Sequence, residues 1–147
     1  MKVTKEFTFD AAHFLTRYHG ACERMHGHTY KLRVTVEGDV QENGLVIDFA
    51  ILKKIVKDMV LDKLDHQVIN DILPNPSAEL MTIWIWDQLS DLQSLLKKEI
   101  DNPNLDDEIK KYLQNPEEGK KDVPSKVRLY EIVLYETPTS CVSYRGE

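Results

Sequence analysis

The segment His28-Thr-Tyr-Lys-Leu-Arg-Val-Thr-Val-Glu37 has the most regular pattern in this chain of 147 residues. Apolar side chains occupy every second position from Tyr30 to Val36, and polar side chains occupy the positions between them. Because successive side chains of a β-strand point to opposite faces, this alternation predicts a strand with one buried face. His28 stands at the start of the strand, in register with the buried positions.

A second histidine lies two residues earlier, in the stretch Cys22-Glu-Arg-Met-His26-Gly-His28. Side chains at i and i+2 of a strand share one face, so His26 and His28 can point toward a common ion. Zn²⁺ is the expected ion, because it binds imidazole nitrogens and its catalytic sites combine three protein ligands with one open position. The alternative is a pair of surface or hydrogen-bonded histidines without a metal.

The N-terminal residues supply a candidate for the third ligand. Residues 2–9 alternate in the same way, and their buried face continues to His13. An antiparallel hairpin between the two strands would bring His13 beside His28. The sequence therefore predicts a zinc site formed by His13, His26 and His28.

Cys22 precedes this site by a short loop and has three interpretations. Free cysteine is often a small buried apolar residue. Near a metal cation its thiolate would be stabilised, which would make it a base or a nucleophile. Cys22 could instead be a fourth ligand, and a closed zinc site of that kind would be structural. The sequence leaves these interpretations open.

The remaining elements follow from helix caps and turn residues. Asp48 and Ser77 each precede apolar residues at helical spacing, which predicts two helices, the first ending near residues 61–64. Residues 127–136 predict a third strand, and residues 140–145 a short fourth. We expect an α+β fold in the order strand, strand, helix, helix, strand, strand, with a four-stranded antiparallel sheet and two helices on one face.

The length of the chain and its hydrophobic content of 41% predict one domain over residues 1–147. Within it, residues 98–125 are polar and rich in turn formers, so we expect an excursion with one short helix over 105–113. Four strands leave two open sheet edges. Because open edges favour pairing between copies, a homo-oligomer is expected.

The composition and charge of the chain limit the expected location of the protein and the partners it can bind. The net charge of −6 argues against nucleic acid as a partner. The sequence has no run of about 18 apolar residues, the length that a membrane span needs, and the N-terminal segment lacks the apolar core of a signal peptide. We therefore expect a cytoplasmic protein without a membrane partner, in which Cys22 and Cys141 are free thiols and not a disulfide.

Three further positions carry carboxylates or imidazoles suited to a site. Asp65-His66 can act in acid–base catalysis, because a carboxylate on one ring nitrogen raises the basicity of the other; the alternative is an ordinary histidine at a helix C-terminus. Glu136 can hold a cyclic guanidine-like group by paired hydrogen bonds, or it can be an exposed carboxylate at a strand end. Glu79 can act at a site or favour the first turn of its helix.

Six ordered motifs resemble the 6-pyruvoyltetrahydropterin synthase family, and they span nearly the whole chain outside residues 98–125. They are Phe9-Asp-Ala-Ala-His13, Cys22-x-x-x-His26-Gly-His28, Gly44-Leu-Val-Ile-Asp48-Phe49, Leu64-Asp-His66, Asn75-Pro-Ser-Ala-Glu79 and Glu136-Thr137. The three-residue spacer after Cys22 and the ending Cys141-Val-Ser-Tyr-Arg-Gly-Glu147 look most like the branch that forms 6-carboxy-5,6,7,8-tetrahydropterin. Ser77 replaces the threonine that is common in the family, which keeps a hydroxyl cap.

The resemblance implies the tunnelling fold, in which three subunits join their sheets into a barrel and two such rings form a hexamer with sites between subunits. It implies a set of roles for the residues of this chain. It assigns Zn²⁺ binding to His13, His26 and His28, and proton abstraction to Cys22. It assigns proton relay to Asp65 and His66, and binding of the pterin substrate to Glu136, with Ser77 and Glu79.

The implied reaction is a lyase step toward queuosine and related deazapurines. Its substrate is 7,8-dihydroneopterin triphosphate, and its products are 6-carboxy-5,6,7,8-tetrahydropterin, acetaldehyde and triphosphate. Glu23 leaves a second reaction open, because a subgroup with Cys-Glu-x-x-His-Gly-His forms 6-hydroxymethyl-7,8-dihydropterin for folate synthesis; Glu23 can equally be a solvated loop carboxylate. The motifs are also compatible with a 6-pyruvoyl product and with a non-catalytic module that binds pterin or zinc.

Overall fold

The computed structural model describes residues 1–105, 107 and 126–147. One sheet contains all the strands of this part, in the spatial order β3-β1-β2-β4-β5. The strands are β1 Lys2–His13, β2 His26–Glu37, β3 Gln67–Val68, β4 Arg128–Thr137 and β5 Ser140–Tyr144. The helices are α1 Phe49–Val56, a π-helical turn Lys57–Leu61, α2 Asp62–Leu64, α3 Ala78–Leu89 and α4 Leu92–Ile100, with 3₁₀ turns at Ala21–Glu23 and Ile69–Asp71.

The predicted alternation of β2 forms the centre of the core. Tyr30, Leu32, Val34 and Val36 are each 0% exposed, whereas Lys31, Arg33 and Glu37 on the opposite face retain access to solvent. Thr35 of that face is an exception: it is 7% exposed, and its hydroxyl lies 2.8 Å from that of Thr4. The helices contribute Ile51, Leu52, Met81, Ile85 and further side chains to the same core cluster. The architecture is therefore α+β, with the helices on the face of the sheet that carries the apolar positions of β2.

The two predicted helix caps are confirmed. Asp48 Oδ1 accepts a hydrogen bond from the backbone N–H of Ala50 at 2.6 Å, and Ser77 Oγ accepts one from the N–H of Leu80 at 3.3 Å. Each cap occupies one of the backbone donors that the first turn of a helix leaves without an intrahelical partner. The first helical region ends at Leu64, within the predicted limits.

The predicted count of four strands was wrong, because β3 is a fifth strand. It has only two residues and runs parallel to β1, with Ala11 opposite Gln67 and Ala12 opposite Val68. The backbone N–H of His66 donates to the carbonyl of Asp10 at 2.6 Å where the two segments meet. A two-residue strand is too short to show an alternating pattern, so periodicity carries no signal for it.

The single helix predicted after Ser77 is two helices, α3 and α4. The helix ends at Leu89 and a new one begins at Leu92. The Asp91 side chain caps α4 by accepting from the N–H of Ser94 at 3.3 Å. The start of the predicted polar excursion is also part of the core, since Ile100 is 2% and Leu105 is 3% exposed. The predicted helix over 105–113 lies almost entirely outside the described residues.

Both cysteines are free thiols, as predicted. Among the described residues, no helix combines the length and the apolar character needed to cross a lipid bilayer.

Candidate metal centre and substrate cavity

The hairpin of β1 and β2 brings three histidines to one end of the sheet. His13 lies opposite His26, and Ala11 lies opposite His28. The hairpin therefore brings His13 beside His28, as predicted, although the residue directly opposite His13 is His26. Because His26 and His28 share a face, the imidazoles still converge, with ring centroids between 4.6 and 5.2 Å apart.

Backbone carbonyls orient two of the rings. His13 Nδ1 lies 2.8 Å from the carbonyl oxygen of Pro76, and His26 Nδ1 lies 2.7 Å from that of Arg24. A carbonyl only accepts, so in neutral His13 and His26 the Nδ1 atom carries the proton and Nε2 carries the free lone pair. Metal-bound histidines are commonly held in this way by their second nitrogen.

The donor atoms of the three imidazoles are suited to a metal ion. One ligand atom from each of His13, His26 and His28 lies within 4.8 Å of the others, and the Nε2 atoms of His13 and His26 are 3.0 Å apart. Nitrogens bound to tetrahedral Zn²⁺ lie about 3.3 Å from each other. His28 Nε2 is buried and has no hydrogen-bond partner, so no hydrogen bond competes with a cation for this atom.

The surroundings of His28 favour its neutral form. Burial lowers the pKa of His28 below its ordinary value, and the neighbouring His13 and His26 act in the same direction. The carboxylate of Glu136 opposes them and raises the pKa. Neutral imidazole is the form that binds a metal.

Glu136 lies at the edge of the three imidazoles. Its Oε1 is 3.3 Å from His13 Nε2 and 3.6 Å from His28 Nε2, and its side chain is 30% exposed. It therefore combines contact with the metal-capable group and access from solvent. The strand pattern placed Glu136 at a strand end but did not indicate its closeness to the histidines.

Cys22 lies on the 3₁₀ turn Ala21–Glu23 and is half-buried. Its carbonyl accepts from the N–H of Leu15 at 2.8 Å, which closes the loop between β1 and β2. In the part of the chain that the structure describes, the thiol does not belong to the group of three imidazoles. This geometry does not favour the interpretation of Cys22 as a fourth ligand.

The thiol faces a cavity of about 250 Å³ beside the histidines. The lining brings together five of the residues predicted to act at the site, namely His13, Cys22, Ser77, Glu79 and Glu136. The hydroxyl of Ser77 is already used as a helix cap, and Glu79 follows it in the first turn of α3. The other polar lining residues are Ser140 and Cys141.

Asp65 and His66 lie elsewhere in the chain. Asp65 Oδ1 is 2.9 Å from His66 Nδ1 and accepts from the backbone N–H of Asp10 at 3.0 Å. His66 has a left-handed backbone, with φ of 58°, which is uncommon outside glycine and often marks a functional site. His66 lines a second cavity of about 480 Å³ with Asp10, Thr29 and the candidate ligand His28, and Cys22 is not among the lining residues of this cavity.

Sequence reasoning missed the groups that hold these side chains in place. Two are the carbonyls of Arg24 and Pro76, and a third is Asp10, whose carboxylate also accepts from Thr29 Oγ1. Carbonyls carry no sequence signal of their own. Asp10 had one, because it is a carboxylate three residues before His13 on the same predicted strand.

Glu23 follows Cys22 and points to a different partner. Its Oε1 is 2.9 Å from Nδ1 of the exposed His19, four residues earlier. Glu23 is not among the lining residues of either cavity described above. The Glu23 carboxylate therefore contacts the loop residue His19, although Glu23 directly follows Cys22 in the sequence.

The α+β fold places three converging imidazoles at one end of its sheet, beside a cavity lined by a thiol and carboxylates. This arrangement defines a class of protein with a three-histidine site that can bind a metal. Comparison with known proteins identifies the family. A sequence profile described as 6-pyruvoyl tetrahydropterin synthase matches residues 2–105, and the chain belongs to this family.

Relatives and solved structures agree with that assignment. The 6-carboxy-5,6,7,8-tetrahydropterin synthase of Haemophilus influenzae is 37% identical over 150 residues, with 98% of both chains covered. The dihydroneopterin monophosphate aldolase of Pyrococcus furiosus is 43% identical over 82 residues, which cover 56% of this chain and 68% of the aldolase. The 6-pyruvoyl tetrahydropterin synthase of Caenorhabditis elegans shares the fold, with a TM-score of 0.68, 24% identity, and coverage of 100% of this chain and 96% of its own.

Proposed function

We propose that this protein converts 7,8-dihydroneopterin triphosphate and one water to 6-carboxy-5,6,7,8-tetrahydropterin, acetaldehyde and triphosphate, with Zn²⁺ as its metal. The observation that carries the proposal is the placement of His13, Cys22 and Glu136 around one cavity at the three-imidazole group. The likeness to the Haemophilus influenzae synthase, which extends over 98% of both chains, supports the same reaction.

In this proposal His13, His26 and His28 hold the zinc through Nε2, the atom that the contacts of His13 and His26 leave free. When bound, Zn²⁺ supplies Lewis-acid polarisation of the substrate side chain. Cys22 removes a proton from a side-chain carbon, which lets electrons move into the pterin ring without a redox cofactor. The carboxylate of Glu136 accepts two hydrogen bonds from the guanidine-like edge of the ring and so orients the substrate.

The proposal assigns proton relay to His66, held by Asp65. Because His66 and Cys22 line separate cavities of one chain, and the family resemblance implies sites between subunits, the proposal takes the relay pair from a second copy. The proposed assembly is accordingly a homohexamer formed by two stacked trimers. Co-refolding of inactive Cys22→Ala and inactive His66→Ala chains tests it: shared sites give mixed oligomers in which about a quarter of the sites are intact. Activity that stays at the level of the separate variants would contradict a shared site.

Product analysis tests the reaction itself. The zinc-loaded protein is incubated with 7,8-dihydroneopterin triphosphate, and the products are identified by mass. The proposal expects 6-carboxy-5,6,7,8-tetrahydropterin and acetaldehyde in equal amounts. A 6-pyruvoyl or 6-hydroxymethyl pterin as the sole product would refute it, and absence of turnover would favour a module that binds pterin or zinc without catalysis.

A second candidate is the formation of 6-hydroxymethyl-7,8-dihydropterin, alone or beside the first reaction. It is favoured by the carboxylate of Glu23 next to Cys22 and by the partial likeness to the Pyrococcus furiosus aldolase. Glu23→Gln separates the two: the hydroxymethyl product disappears while the carboxy product remains if Glu23 is a second base. An unchanged product ratio would assign Glu23 to the loop contact with His19.

A further inference from the structure

The arginines of this chain fall into two groups. Within the described part of the chain, Arg17 and Arg24 are exposed and make no ion pair with any carboxylate. Each of the other arginines contacts a glutamate: Arg33 with Glu6 at 3.2 Å, Arg128 with Glu37 at 2.5 Å and Arg145 with Glu131 at 2.9 Å. The two unpaired guanidinium groups both lie on the loop between β1 and β2.

This loop is held firmly on both sides of Cys22. Thr16, next to Arg17, donates its N–H to Asn75 Oδ1 at 3.0 Å. The N–H of Arg24 donates to the carbonyl of Ala21 at 3.2 Å, and the carbonyl of Arg24 accepts from a ring nitrogen of the candidate ligand His26. The backbones that carry both arginines are therefore fixed relative to the thiol and the metal-capable group.

The cavity itself cannot neutralise a polyanion. Its lining includes the carboxylates of Glu79 and Glu136 and no lysine or arginine, and the cavity beside His66 likewise includes Asp10 and no such cation. The net charge of −6 adds a general repulsion. Within one chain, cations for a phosphate chain on a ligand in the Cys22 cavity must therefore come from outside the lining, and Arg17 and Arg24 lie on the loop that carries Cys22.

We propose that Arg17 and Arg24 bind the triphosphate group of the substrate at the mouth of the Cys22 cavity. Guanidinium groups suit this task because each can donate two parallel hydrogen bonds to phosphate oxygens. Neither side chain must break an ion pair to do so. The inference rests on the proposed function for the identity of the substrate, but the phosphate site it describes can be measured without turnover.

Calorimetric titration of the zinc-loaded protein with inorganic triphosphate tests the site directly. Arg17→Gln and Arg24→Gln each weaken binding about 10-fold, the loss expected for a hydrogen bond to a charged group, and the double variant weakens it further. Arg128→Gln is the matched control, because it removes the same charge at the opposite end of β2 and leaves binding unchanged. Zinc content is measured before and after each titration, so that chelation of the metal is not counted as binding.

Kinetics with the substrate and a competing ligand completes the test. Arg17→Gln and Arg24→Gln raise KM for 7,8-dihydroneopterin triphosphate about 10-fold and leave unchanged the inhibition constant of unphosphorylated 7,8-dihydroneopterin, which lacks the leaving group. Unchanged triphosphate binding in the double variant, or an equal loss in Arg128→Gln, would overturn the inference. If the enzyme forms another product, or none, while the double variant still loses triphosphate binding, the proposed reaction fails and the phosphate site stands.

Discussion

Replacement of His28 and Cys22 by alanine tests separately the proposed metal ligands and the proposed catalytic thiol. His28 Nε2 is buried without a hydrogen-bond partner and belongs to the group of donor atoms within 4.8 Å of one another, whereas Cys22 does not belong to it. Zinc sites with four ligands bind with roughly 10–16 kcal/mol, or about 2.5–4 kcal/mol per ligand. His28→Ala should therefore weaken zinc binding about 10²- to 10³-fold.

Cys22→Ala should leave zinc affinity unchanged and lower turnover by about 10²- to 10⁴-fold, the contribution of a positioned general base. His19→Ala is a control for the loss of an imidazole, because the exposed His19 ring contacts the Glu23 carboxylate and lies outside the three-imidazole group. It should retain both zinc and activity if Glu23 has no part in the main reaction.

The assay combines zinc content after dialysis, competition with a chromophoric chelator, and the rate of product formation. Zinc loss in Cys22→Ala equal to that in His28→Ala would show that the thiol is a ligand, and the role assigned to it would be wrong. Full zinc retention in His28→Ala would refute the three-histidine centre.

Two further predictions concern the relay pair and the C-terminus. Asp65→Asn should lower turnover roughly 100-fold with zinc retained, measured by steady-state kinetics, because the amide can still accept from Asp10 N–H but lacks the charge that faces His66. Gly146→Ala should lower the free energy of unfolding, measured in urea, by more than Gly44→Ala. Both glycines have φ near +80°, where a Cβ costs about 1–2 kcal/mol. Only at Gly146 would the new Cβ also lie 2.5 Å from the Trp86 ring. Equal losses of stability in the two variants would show that the C-terminal residues can move away from the Trp86 ring without cost.

The central hairpin was predictable because its signals are local. Period-two alternation fixes which side chains of β2 are buried, and the same alternation in β1 carries the buried face to His13. His13 lies directly opposite His26 and next to His28, because His26 and His28 are alternate residues on one face of β2. A prediction of the shared face was therefore enough to bring the three imidazoles together.

The features that could not be predicted depend on contacts between distant segments. The pairing of β3 with β1 involves two residues each and begins with a backbone bond from His66 to Asp10. The left-handed conformation of His66 has no sequence signal, because the residue is not glycine. Pro76 acts on His13 through a carbonyl, and backbone groups are the same at every position.

The packing beneath the histidines explains why one pattern predicted both the core and the site. Tyr30 is 0% exposed, stacks on Phe9 with ring centroids 5.0 Å apart, and meets the rings of His28 and His13 edge-on at 5.4 and 6.1 Å. The aromatic pair thus forms a rigid floor for two of the three imidazoles. Since close-packed interiors leave little room for rotamer changes, the hydrophobic core itself holds the nitrogen donors in place. The metal-capable site is the polar end of the core, and so the alternation that buries Tyr30 also aligns His28 above it.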